Sequence, residues 1–248
     1  MLRKLLVKTL LKEYVQCILL AALLFFPSLH ALVLGDRLQR AKPGDYFAVS
    51  FYNTDTFLWV EEVGSGYLVL HEISLPTCKR PKGKSWRLWV EEGMVGHTEW
   101  GRYTLDLSSQ RLVGYYSLTK KMWFELPESS QFFAKLLRLS FRPVPLHKRK
   151  KMGNKPLFGV DERPVWQPKF SRDGENPEAV STSLWQAIWP KDGGVLAGHR
   201  VEMYLAEDEV ETWPSYFPLW LQVPDRLGKP KLRLLETGRG LPKNFLPV

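Results

Sequence analysis

Two short clusters, His71–Glu72 and His97–Thr98–Glu99, carry the side chains best suited to chemistry in this sequence. Two imidazoles and two carboxylates could hold a transition metal. Adjacent residues on a strand face opposite ways, so His71 and Glu72 cannot both serve one site without a bulge. His97 and Glu99 share a face if that stretch is extended. No metal site is expected. The acidic run "AEDEVE" (206–211) has four carboxylates but not the ligand spacing of a calcium loop, and it is expected to be an exposed turn. Glu61, Glu99, Asp106 and Glu125 could supply the paired carboxylates of a glycosidase, although sequence alone cannot pair them. No G-x-S-x-G elbow, H-E-x-x-H, C-x-x-C or phosphate loop occurs, and "GSG" (64–66) and "GRG" (238–240) read as turns. The expectation is a non-catalytic protein without a cofactor, with a glycan-binding or glycan-hydrolysing protein as one alternative.

Aromatic residues say more. All ten Trp lie beyond residue 58. "YFAVSF" (46–51), "FLWV" (57–60) and "YFPLWLQV" (216–223) read as strands that are apolar on both faces. In the closing segment 217–238, Phe217, Leu219, Leu221 and Val223 alternate on one face, while Trp220 and Leu235 sit on the other. One face can take the helices. The other can line an apolar cavity, or be covered by helices and loops. The expected lining of that cavity is Trp59, Trp123, Leu219 and Trp220. The basic run "HKRKKMGNK" (147–155) places Lys148, Arg149, Lys150 and Lys151 either on a solvated loop or against phospholipid headgroups.

These residues need a scaffold, and the punctuation of the chain indicates one. A strand over 44–53 is followed by a hairpin over 57–73, closed at "GSG". Ser85 caps a short helix, "WRLWVEE", that ends at Gly93 and has Trp86, Trp89 and Val90 on one face. "WGRYTLDL", "RLVGYYSL" and "KMWFEL" form a three-strand meander. "SSQFFAKLLRLSF" (129–141) switches to helical period and stops at "RPVP". The fold class is therefore mainly β, a curled antiparallel sheet or open half-barrel with a few short helices against the concave face. No repeat of 20–50 residues is evident.

The N-terminus is basic (Arg3, Lys4, Lys8, Lys12), then apolar from Val15 to Phe26, then "PSLHA". That order predicts a signal peptide over 1–31, or an uncleaved anchor, ahead of a single β-rich domain over 32–248. The protein is expected to be exported to the periplasm or cell envelope. The net charge of +9 falls to about +6 without that segment, which suits anionic lipid or acidic glycan, whereas nucleic acid is a poor match for an exported protein. Cys17 lies within the leader, so only Cys78 would remain, an inert or buried thiol with no internal partner.

"GDYFAVSFYNTDTFLWVEE", "SWRLWVEEGMVGHTEW", "LWQAIWPKDGG" and "YFPLWLQV…LRLLETG" resemble an uncharacterised family of exported proteins from chlamydia-like intracellular Gram-negative bacteria. More distantly, curled antiparallel strands with helices on the concave side are similar to periplasmic lipoprotein carriers and receptors, a likeness of fold only. That second resemblance implies an acyl chain held in a half-barrel. The leading expectation is thus an envelope protein that binds a lipid or lipoprotein acyl chain and can contact a membrane surface. An interaction or scaffold protein with an envelope protein partner is the alternative.

Overall fold

The computed structural model describes residues 31–125, 128–194, 196–207, 212–223 and 231–243, except for the side chains of 128–132. Within these, Leu32–Val248 is one compact unit. Residues 1–30 of the expected leader, the turn expected for "AEDEVE" beyond Glu207 and the turn expected in the closing hairpin lie outside the described residues.

The protein is mainly β. Its first strands are β1 (Leu32–Val33), β2 (Tyr46–Phe51), β3 (Thr54–Gly64), β4 (Tyr67–Pro76), β5 (Glu99–Asp106), β6 (Arg111–Ser117) and β7 (Met122–Phe124). The later ones are β8 (Ser140–Pro143), β9 (Lys169–Arg172), β10 (Glu178–Ala179), β11 (Thr182–Ile188), β12 (Arg200–Ala206), β13 (Trp220–Gln222) and β14 (Lys231–Gly238). Three short helices accompany them: α1 (Leu34–Arg37), α2 (Trp86–Glu91) and α3 (Glu128–Arg138). Sheet order is β1-β8-β11-β12-β13-β14-β2-β3-β4-β5-β6-β7, and every pairing along that path is antiparallel. Among the described residues, only β9 runs parallel to a neighbour, β14.

The sheet is open yet strongly curled. A flat sheet would separate β1 from β6 by ten strand spacings, about 48 Å. Instead Gln110, in the β5–β6 turn, donates to Asp36 in α1, just past β1, at 3.0 Å. Gly35 lies so close to the Gln110 side chain that a Cβ there would meet it at 2.5 Å. The main core fills the inside of this curl, drawing Phe47, Leu68, Leu105, Phe141, Met203 and Leu234 into one cluster. Leu34 of α1 and Leu136 and Leu137 of α3 pack into it.

The opposite face is greasy as well, and the protein covers it with its own side chains. Tyr46, Phe57, Trp59, Ile73 and Leu75 meet Trp86, Trp89 and Val90 of α2. Ser85 caps that helix, accepting from the Leu88 N–H at 3.1 Å. Leu235 of β14 packs against the same cluster. Helices therefore lie on both faces, α1 and α3 inside the curl and α2 outside it.

Local sequence signals were overridden at two places. Helical period continues to Phe141, but α3 ends at Arg138 because Ser140–Pro143 is recruited as β8 between β1 and β11. Cys78 is exposed rather than buried, since it sits in a single 3-10 turn on the loop after β4.

Candidate functional site

Register brings six residues from six consecutive strands into one cross-strand row. Tyr46 pairs with Trp59, Trp59 with His71, His71 with Arg102, Arg102 with Tyr116, and Tyr116 with Trp123. Pairing alone puts their side chains on one face. The row begins in the outer core, where Tyr46, Trp59 and His71 are buried, and runs out to solvent, where Trp123 is 63% exposed.

His71 is the hinge between the two halves. Trp100 Nε1 donates to His71 Nδ1 at 2.9 Å, which fixes the proton on Nε2. Nε2–H then faces Glu61 Oε2 at 2.9 Å. Arg102 Nε donates to the same oxygen at 2.7 Å. Burial, the largest influence, holds the imidazole below its ordinary pKa, so the ring is neutral. Its one lone pair is already used by Trp100. The ring is therefore equipped neither as a general base nor as a metal ligand.

Glu72 points to the other face, as alternation requires. There burial pushes its carboxyl up, opposed by a hydrogen bond from Tyr103. His97 Nδ1 lies 3.0 Å from the Met94 carbonyl, and Glu99 receives the Tyr115 hydroxyl at 3.3 Å. Among the described residues, no three His, Cys, Asp or Glu side chains gather as a metal set. The candidate glycosidase acids are dispersed in role. Glu61 serves His71 and Arg102, and Asp106 caps the Ser108–Ser109 turn, which draws its pKa down to about 2. Glu125 is exposed.

The four residues expected to line a cavity occupy four settings. Trp59 lies in the outer core beneath α2, and Leu219 lies in the inner core. Trp220 packs with Tyr204 and Val144, and its ring meets Trp166 edge-on at 5.8 Å. Trp123 stands in solvent on β7. Trp59 and Trp123 share the cross-strand row four strands apart, while Leu219 and Trp220, neighbours in the chain, pack into different clusters. The apolar second face of the closing hairpin is thus covered by Trp166 at one point and by the α2 cluster at the other.

The basic run also divides. Arg149 donates to the carbonyls of Val144 and Thr182 and pairs with Glu207 at 3.3 Å. Lys151 pairs with Asp161 at 3.5 Å. Both are structural ties. Lys148 and Lys150 are exposed, with Lys150 Nζ 5.6 Å from the Trp166 ring centre.

The end of the row stays open to solvent on the outer face. Tyr116 and Trp123 meet edge to face at 5.3 Å. Gly114 lets the indole lie close to the sheet, because a Cβ there would come within 3.3 Å of it. Arg102 spends only Nε on Glu61, and among the described residues neither of its Nη atoms has a hydrogen-bond partner. Among the described residues, β7 is the end of the sheet and pairs only with β6. Arg102 and Tyr116 were not singled out from sequence. The meander "WGRYTLDL…RLVGYYSL…KMWFEL" could have revealed them had its register been known.

Comparison with known proteins places this architecture. The family model described as CT021 protein matches residues 56–178, which span β3 to the start of β10 and include the row from Trp59 to Trp123. The chain is similar to the CT021 family. A solved structure of the hypothetical protein CT021 from Chlamydia trachomatis superposes with a TM-score of 0.61 at 18% identity, covering 88% of this chain and 97% of that one. At that identity the likeness is one of fold. Both matches are thus a similarity to an uncharacterised chlamydial protein and its family. No curated protein matches the chain.

Proposed function

We propose that this is a non-catalytic interaction protein of the cell envelope, which docks a protein partner on the exposed end of the aromatic row. The observation that carries this reading is the set Arg102, Tyr116 and Trp123, in register on three adjacent strands at an open sheet edge. Arg, Tyr and Trp are the residue types that dominate interface energetics, and a sheet holds them without much loss of entropy on binding. The other edge of β7, which has no strand partner among the described residues, adds backbone donors and acceptors to which a partner strand can hydrogen-bond. The assignment to the envelope rests on the basic-then-apolar N-terminus.

Carriage of an acyl chain would require an open apolar space. The greasy faces that suggested one pack against protein side chains at Trp166 and α2, which favours docking over carriage.

Affinity purification of the full chain from its producing cells, compared with Trp123→Ala, tests the reading. One envelope protein in stoichiometric yield, reduced at least tenfold by the substitution, is expected. Equal recovery with both chains, or release by a soluble acidic sugar, contradicts it.

A further inference from the structure

Between the pairs that hold Lys151 and Val165 together, the chain makes an excursion that returns to its own base. Lys151 and Val165 form an isolated antiparallel bridge. The Met152 N–H donates to the Pro164 carbonyl, and the Trp166 N–H to the Lys150 carbonyl, each at 2.8 Å. Asp161 clasps this base. It accepts from Arg163 Nε and Nη2, each at 2.9 Å, and from Lys151. Arg163 Nη1 reaches across to the Gly153 carbonyl at 2.7 Å. Trp166 anchors the whole segment by packing against Tyr204 and Trp220.

A loop so firmly tied would ordinarily carry polar residues at its tip. This one carries Leu157 and Phe158, each 91% exposed, and Val160, 83% exposed. Around them Lys148, Lys150 and Lys155 are exposed as well. Residues 146–163 contain six basic and two acidic side chains, and Asp161, one of the two acids, is already paired. Scattered exposed apolar residues need no explanation, but three within four positions on a stapled projection do.

We infer that the 151–165 loop is a membrane-insertion finger. Leu157, Phe158 and Val160 enter the interfacial region of an anionic bilayer, while Lys148, Lys150 and Lys155 meet its headgroups. The occupant follows from charge and shape. An apolar tip in a basic collar complements a surface that is negative outside and apolar beneath. Each exposed lysine near such a surface should strengthen binding about fivefold. Salt should weaken the attraction, because the contact sits within a Debye length of solvent. The finger is separate from the β7 edge and does not depend on the docking reading.

The test uses the full chain with Cys17 and Cys78 replaced by Ser and Val160→Cys carrying an environment-sensitive fluorophore. The probe is added to vesicles of phosphatidylcholine alone, or of phosphatidylcholine with about one third phosphatidylglycerol. We expect a blue shift and quenching by nitroxide-labelled lipid on the anionic vesicles only, lost in half-molar salt. Lys148→Gln/Lys150→Gln/Lys155→Gln should weaken the response at least tenfold. Leu157→Asp/Phe158→Asp should abolish the blue shift, with an unchanged circular dichroism spectrum. Because the apolar leader could hold the chain on vesicles by itself, sedimentation does not count; only the probe at residue 160 reports the finger. No shift on either vesicle, or a shift that is indifferent to lipid charge and to both sets of substitutions, overturns the inference. A shift elicited only by an added protein overturns it as well and assigns the tip to a protein contact.

Discussion

Tyr46 has one hydroxyl proton and two carboxylates facing it. Its oxygen lies 3.1 Å from Asp173 Oδ1 and 3.1 Å from Glu236 Oε1. It can donate to only one, so the other contact is favourable when that carboxyl carries a proton. Burial pushes Glu236 up, partly opposed by the backbone N–H groups of Trp86 and Arg87. An acid whose pKa is raised in the fold contributes stability that is complete below its unfolded value, near 4.5, and is lost as pH rises through the folded value. Denaturant titrations from pH 4 to 8 should therefore show the stability of wild type relative to Glu236→Gln falling as pH rises. His71 works in the opposite sense. Its depressed pKa leaves stability intact above the unfolded value of 6.5, and that stability is lost as pH falls through the folded one. Relative to His71→Gln, wild type should weaken on the acid side in the same series. A flat difference for either pair contradicts the corresponding network.

Between single residues and the whole sheet, the elements are held by a few buried polar contacts and by aromatic plugs. A bulge between Leu234 and Glu236 breaks the alternation of β14, so that Glu236 pairs with Ala48 and turns toward α2. That carboxylate accepts the Trp86 N–H and so seats the start of the helix. The loop after β4 is fastened by Arg80, which grips Asp55 through Nε at 2.6 Å and Nη2 at 2.9 Å. Asp55 is fully buried, so Arg80→Ala leaves a charge without its partner. A loss of about 3 kcal/mol is expected by chemical denaturation, reduced somewhat because Arg80 is 37% exposed. Asp55→Asn/Arg80→Ala should recover part of it. Trp166 is the plug over the back of β12 and β13. Trp166→Ala should cost about 3 kcal/mol and loosen the base of the 151–165 loop, measured as faster hydrogen exchange at the Met152 amide. Unchanged exchange there would show that the loop is anchored elsewhere.

At the scale of the molecule, an open sheet must curl around one core and cover its outer face separately. Much of this was legible in the sequence. The Ser85 cap, the "GSG" hairpin and the 99–124 meander are local signals, and each set its element. Period-2 apolar patterns on both faces of 46–51 and 57–60 said that two faces needed cover. Local patterns could not say what covers them, because Trp166 reaches Trp220 and α2 reaches β14 only through long-range pairing. The same limit hid the row from Tyr46 to Trp123: each member is visible in the sequence, while their alignment depends on register across six strands. Bulges after Val60 and Thr104 shift the register of those strands by one residue, a change that composition does not announce. The basic run was visible too, but its division into ties (Arg149, Lys151) and exposed charges (Lys148, Lys150) depends on Glu207 and Asp161, which lie at different distances along the chain.

The central claim is that the exposed end of this row docks a protein. Its most direct test is a photo-crosslinkable residue in place of Met122, which is 50% exposed on β7, in the full chain within cells that produce it. The account predicts one discrete crosslinked protein species, formed at Met122 but not from a control position such as Ser109, and lost when Trp123→Ala is added. Crosslinks that are absent, or that are equally abundant at Ser109 and indifferent to Trp123→Ala, would contradict it.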